Sequence, residues 1–192
     1  MSSRSDILAA VRRSRPSALP LPPAARFDRP GDNIAVLFKE AVVRSGGTVV
    51  TAQPYEVAGF LAARFPTAPL IASTAPDLFE GTVDLRAVDA PHDLADLDVL
   101  VCRGTLGVAE NGAVWLPESQ MGLRAAPFLS QHLVLALDAA DLVWNLHEAY
   151  ARLDVAAEGY GVFVAGPSKT ADIEQSLVIG AQGARSLTVV LL

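Results

Sequence analysis

The sequence predicts an α/β protein with an open, mostly parallel sheet flanked by helices and preceded by a helical arm. Three observations carry that prediction. Short, continuously apolar runs recur along the second half of the chain, as in Asp98–Cys102, His132–Leu137 and Ser186–Leu192. Segments with apolar residues at helical spacing alternate with them, and strands apolar on both faces belong to sheets covered on both sides. Finally, hydrophobic residues make up 51% of the 192 and charged residues 19%, enough apolar material for one sizeable core.

The elements follow in order. Residues 1–14 form the arm: Ile7, Leu8 and Val11 share one helical face, and Ser5 stands before Asp6 as an N-cap. Pro16, Pro20, Pro22, Pro23 and Pro30 make 15–31 an extended linker, and an α/β domain spans 32–192. Within it, Asn33–Gly46 places Ile34, Leu37, Phe38, Ala41 and Val42 at helical spacing and stops at Gly46-Gly47. Thr48–Ala52 reads as a strand, Pro54–Phe65 as a helix, Leu70–Ser73 as a short strand and Val83–Val88 as a weaker one. Asp98–Cys102 and Gly112–Leu116 are strands, His132–Leu137 leads into a helix over 139–153, and Tyr160–Ala165 is a buried strand. A helix opening at Thr170 and running over Ile173–Gly180, and the strand Ser186–Leu192, complete the chain.

Composition narrows the function. The net charge is −6 with no Lys or Arg block, which argues against a nucleic-acid surface. No apolar run reaches the length of a membrane span and no charged-then-apolar leader opens the sequence, so a cytoplasmic protein is expected. One cysteine, Cys102, excludes an internal disulfide and reads as a small buried hydrophobe. His92, His132 and His147 are scattered without acidic or thiol partners at ligand spacing, so no metal is expected. No G-x-G-x-x-G follows a strand, so no flavin or nicotinamide site is expected either.

Two loops could carry chemistry. In Gly166-Pro-Ser-Lys-Thr-Ala-Asp-Ile-Glu174, a polar strand-to-helix connection would gather backbone N–H groups at a helix start. Thr170 would cap that helix, with Asp172 and Glu174 in its first turn; Ser168 and Lys169 would hold a phosphate or carboxylate. The loop lacks the second glycine and the length of a nucleotide-binding P-loop. In the second loop, Glu110-Asn111-Gly112 lies between two apolar strands, and Asn-Gly suits a tight turn. The residues leave two readings open there, a plain hairpin or a glutamate held at a strand end as base or nucleophile. Arg124, after Gly122 in a loop, is either an anion-binding group or a solvated surface arginine. Ligands of open α/β sheets bind beyond the carboxyl ends of the strands, where these loops are expected to meet.

Together the two loops resemble signatures of the lactate utilization protein C family, the LUD-domain proteins. GPSKTADIE is close to the family's G-P-S-R-T-A-D-I-E, and Gly107-Val-Ala-Glu-Asn-Gly-Ala113 is similar to its G-x-A-E-T-G-T. Arg124 and the strand opening at His132 stand where the family has an arginine and a P-x-H-I-like strand. The resemblance covers Asp98–Leu192. It implies a fold similar to the NagB/RpiA/CoA-transferase group and a part in oxidising L-lactate to pyruvate, beside partner proteins that carry iron–sulfur clusters. A cluster typically takes four thiolates, so this chain, with one, is expected to bind none and to act as an accessory or substrate-binding subunit. Lys169 and Asn111 replace the family's arginine and threonine, which removes a bidentate carboxylate clamp but keeps a charge and hydrogen-bonding capacity. The Ala-Glu-Asn-Gly turn is also similar to the Ser-Glu-Asn-Gly site of CoA transferases. That keeps a second reading open: a CoA-transferase-like or sugar-phosphate-isomerase-like enzyme using Glu110. The arm, in turn, suggests a homo-oligomer.

Overall fold

A computed structural model describes residues 3–16, 20, 27–29, 31, 33–170 and 178–192. The arm is a helix, α1 (Ser3–Arg13), that buries none of its residues. It starts at Ser3, so Ser5 lies inside the helix rather than at its cap. Most of the expected linker lies outside the described residues. From α2 (Ile34–Arg44) onward the chain is continuous to Thr170. The Asn33 side chain caps α2 by accepting from the Val36 N–H at 3.2 Å, and the apolar face buries Phe38, Ala41 and Val42.

After α2 come β1 (Thr48–Thr51), α3 (Val57–Arg64), β2 (Ile71–Ser73), β3 (Val99–Arg103), β4 (Leu106–Val108), β5 (Ala113–Pro117), α4 (Ala126–Leu129) and β6 (His132–Leu137). Then β7 (Leu142–Val143), α5 (Leu146–Arg152), α6 (Val155–Glu158), β8 (Gly161–Val164), β9 (Lys169–Thr170), β10 (Val178–Ile179) and β11 (Ser186–Leu191) complete the order. Five strands, in the order β1-β11-β6-β3-β2, form a wholly parallel sheet. Side chains alternate across it. Val134 and Ala136 join Val99, Val101 and Val190 under Val57 and Leu61 of α3 and its C-cap Phe65. Leu133, Leu135 and Leu137 face the other way, with Leu100, Cys102, Leu187 and Val189, onto Phe38 and Val42 of α2. The mostly parallel α/β architecture expected from the apolar runs is the one observed.

A second sheet was not anticipated as such. Its order is β7-β4-β5-β8, with β4–β5 and β5–β8 antiparallel and β4–β7 parallel. Val114 and Leu116 of β5 pack toward the parallel sheet, whereas Ala113 and Trp115 pack outward against Ala149 of α5 and Phe163. This corrects several expectations. Within 139–153, Leu142 and Val143 are a buried strand, because β4 needs a partner on its free edge; Asn145 then starts α5, accepting from the Glu148 N–H at 2.9 Å. Trp144 therefore sits between β7 and α5 rather than on a helix. The 160–165 strand is an edge strand, half-buried rather than fully buried. Around 83–88 only Val83 makes a bridge, to Ala72; Leu85–Ala87 is a single turn begun by Asp84, whose carboxylate accepts from the Arg86 N–H at 3.0 Å. Among the described residues no helix is long and apolar enough to cross a membrane.

Candidate functional site

The helix expected from Thr170 is absent where it can be seen. Thr170 belongs to β9, which pairs antiparallel with Val178–Ile179, and its hydroxyl donates across that hairpin to the Val178 carbonyl at 3.1 Å. The stretch 171–177, with Asp172 and Glu174, lies outside the described residues. The cause is upstream. Ser168 N–H donates to Ala184 O and Gly180 N–H donates to Ser168 O, both at 2.9 Å, so the chain around Ser168 pairs in extended form.

Gly166 sets the loop's path with φ +77°; a Cβ built there would lie 2.1 Å from the carbonyl oxygen of Ser45, the C-cap of α2. Lys169 crosses the same point, its ammonium donating to Ser45 O. A cation bonded to the last carbonyls of a helix satisfies an otherwise orphaned acceptor and opposes the negative dipole end. An ammonium has three donors, so this bond leaves capacity for an anion.

The Glu110–Gly112 turn meets the same helix one turn earlier. Gly112 has φ +71°, and a Cβ there would be 2.5 Å from the Val42 nitrogen. Val114 pairs with Val164 and Pro117 with Gly161, so the start of β5 and the end of β8 share one end of the second sheet. The two loops distant in sequence are thus brought to one end of one sheet, against one helix.

Their side chains do different things there. Glu110 donates its N–H to Trp144 O at 2.8 Å and accepts at Oε2 from Leu146 N–H at 3.1 Å, tying the turn to the start of α5. Asn111 Oδ1 accepts from Ala113 N–H at 3.0 Å, a turn bond of the kind that makes Asn common at such bends. Ser168 and Lys169 instead line a cavity of about 310 Å³ with Pro127, Phe128, Leu133, Val162, Val164, Gln182, Gly183 and Leu187 among its walls. Glu110, Asn111, Gly112 and Arg124 do not line it.

Arg124 lies at the opposite end of the β5–β8 pair. Its guanidinium donates to both oxygens of Glu118 (2.5 and 2.8 Å) and sits 5.1 Å over the Tyr160 ring, and Glu118 follows Pro117 directly. The arginine holds the Glu118 carboxyl below its usual range. This fork-to-fork pair occupies the geometry an anionic ligand would need.

The cavity also lies at the other rim of the parallel sheet from the one expected. Leu133 and Leu187 are second residues of β6 and β11, and Ser45 leads through Gly46-Gly47 into β1, so Ser168 and Lys169 face the amino ends of these strands. Sequence reading missed Gly46 and Gln182–Gly183 as neighbours of the site. Gly46 (φ +87°) was legible only as a helix stop, yet a Cβ there would be 3.4 Å from the Lys169 ammonium.

Two other groups are now placed. Cys102 is fully buried, and burial pushes its thiol up to about 12, with a smaller opposing effect from the Thr74 hydrogen bond. His132 heads β6 with Nδ1 2.8 Å from Ser186 Oγ and its ring 5.0 Å from that of Phe65. Burial chiefly, then the charges of Arg64 and Arg185, lower its pKa against a smaller opposing pull from Asp98. Among the described residues no three His, Cys, Asp or Glu side chains group as metal ligands.

Comparison with known proteins agrees with this architecture. A crystal structure of a DUF162 family protein from Deinococcus radiodurans superposes with a TM-score of 0.65 at 16% identity, covering 82% of this chain and 95% of that one. At that identity the likeness concerns the fold alone. No curated protein sequence matches the chain. The sequence profile of the LUD domain matches residues 35–192, which takes in both sheets, both glycine-crowded loops and the cavity; the chain belongs to the LUD-domain family.

Proposed function

We propose that this protein is a component of an L-lactate utilization system that oxidises lactate to pyruvate, serving as a non-redox, substrate-binding subunit beside iron–sulfur partner proteins. Family membership supports the setting. The lone, buried cysteine supports the division of labour, since its thiol is held protonated and out of reach while a cluster typically needs four thiolates.

The observation that carries the binding role is the cavity beside Ser168 and Lys169. It combines an ammonium and a hydroxyl with apolar walls, the usual division between orienting groups and bulk contact in small-molecule sites. Its ligand is an organic carboxylate: the anion meets Lys169 and Ser168, and the carbon chain lies toward Leu133 and Leu187. At 310 Å³ the space is more than a three-carbon acid fills, so longer 2-hydroxy acids bind at least as well as L-lactate. Glu110, with its carboxylate holding the Leu146 N–H, supports a positioning role for the turn.

A deletion strain tests the setting, and Ser168→Trp, which fills the cavity mouth, tests the site. Loss of growth on L-lactate, restored by the wild-type chain and not by Ser168→Trp, is the expected result. Normal growth of the deletion strain would overturn the assignment to lactate utilization. Iron–sulfur proteins should also be retained on the immobilised wild-type chain.

A further inference from the structure

The arm and the body carry opposite charge. Residues 1–16 hold Arg4, Arg12, Arg13 and Arg15 against Asp6, a net +3, so the remainder of this −6 chain is at −9. Part of that negative charge is concentrated along 138–158, where Asp138, Asp141, Glu148, Asp154 and Glu158 face one Arg152, a net −4. All five carboxylates belong to exposed residues.

Each of these segments also exposes apolar surface. On α1, Ile7 and Val11 are 60% and 62% exposed and lie on one face with the less exposed Leu8. Along α5 and α6, Tyr150 and Val155 are exposed as well. The Phe27 ring stacks on His147 of α5 at 5.4 Å. Within one chain no residue of α1 is buried, so its basic face with Ile7 and Val11 remains exposed, as does the acidic face with Tyr150 and Val155.

We infer that α1 docks on the α5–α6 face of a second copy of this chain, and that the two copies exchange arms about a two-fold axis. A surface and its complement on one chain are what an isologous interface requires. Pairing of α1 with α1 would set like charges together, which disfavours it. Apolar contact between Ile7 and Val11 on one side and Tyr150 and Val155 on the other supplies the buried centre, with the charges as a rim that selects the partner.

Charge reversal tests this on the full-length chain. The wild type should have twice the 20.2 kDa chain mass by light scattering. Arg12→Glu/Arg13→Glu alone and Glu148→Arg/Glu158→Arg alone should each weaken the dimer at least tenfold. Mixed in equal amounts, they should recover it, because both arms then meet an opposite face; that recovery also shows both variants folded. A monomeric wild type, including one whose arm docks on its own face, would overturn the inference. So would variants that stay dimeric alone, or a mixture that stays monomeric.

Discussion

The two loops at the shared end of the second sheet are held alike and used oppositely. Both contain a glycine at positive φ crowded against the backbone at the end of α2, Gly112 and Gly166. In the Glu110–Gly112 turn the polar side chains are then used inward: Asn111 closes its own bend and Glu110 holds the start of α5. In the Gly166–Lys169 loop only part of the polar capacity is used inward, and Ser168 and Lys169 open onto the cavity. Crowding against a helix therefore marks where a loop is fixed, and the remaining hydrogen-bonding capacity marks which fixed loop is free to meet the proposed ligand.

The largest effect expected concerns what the loops share. Gly112→Ala and Gly166→Ala each place a Cβ inside contact distance of α2 backbone at positive φ, and should each cost about 3 kcal/mol in urea unfolding. Gly159→Ala, at φ +73° with open space around it, should cost only about 1 kcal/mol. Equal losses at all three would mean that conformation alone, not contact with α2, fixes the loops.

The next separates them. Glu110→Ala should lose about 1 kcal/mol of stability through the unpaired Leu146 N–H, with carboxylate binding unchanged in a calorimetric titration. Ser168→Trp should reverse that pattern, abolishing binding with a modest change in stability. Arg124→Ala, at the far end of the sheet, should leave binding unchanged and barely alter stability, as exposed pairs do.

The smallest expected effect is a pH slope from His132, at the head of β6. His132 has a folded pKa below its ordinary 6.5, so the unfolded chain takes up the proton first as the medium is acidified. Stability should be intact above about pH 6.5 and fall as pH drops below it. His132→Gln should flatten that portion of the profile, and an unchanged slope would assign it to another group.

Much of the parallel sheet was legible because apolar runs such as His132–Leu137 state their own boundaries. The second sheet was not: Leu142–Val143 is too short to show a period, and its pairing with β4 is a tertiary fact no local pattern records. Thr170 illustrates the same limit from the other side. Its neighbours suit a helix start, yet Ser168's bonds to Ala184 and Gly180 draw the chain into extended pairing. The two motifs lie at one end of one sheet, though only one of them lines the cavity, whereas Arg124 fell to a partner, Glu118, only six residues away in the chain.

Calorimetric titration of 2-hydroxyhexanoate and L-lactate into the wild type, Lys169→Met and Glu110→Gln tests the division between the two loops most directly, with unfolding curves run beside it. Binding that is present in the wild type, lost in Lys169→Met and retained in Glu110→Gln is the result predicted. Binding that survives in a folded Lys169→Met and disappears in Glu110→Gln would contradict it and return the chemistry to the glutamate.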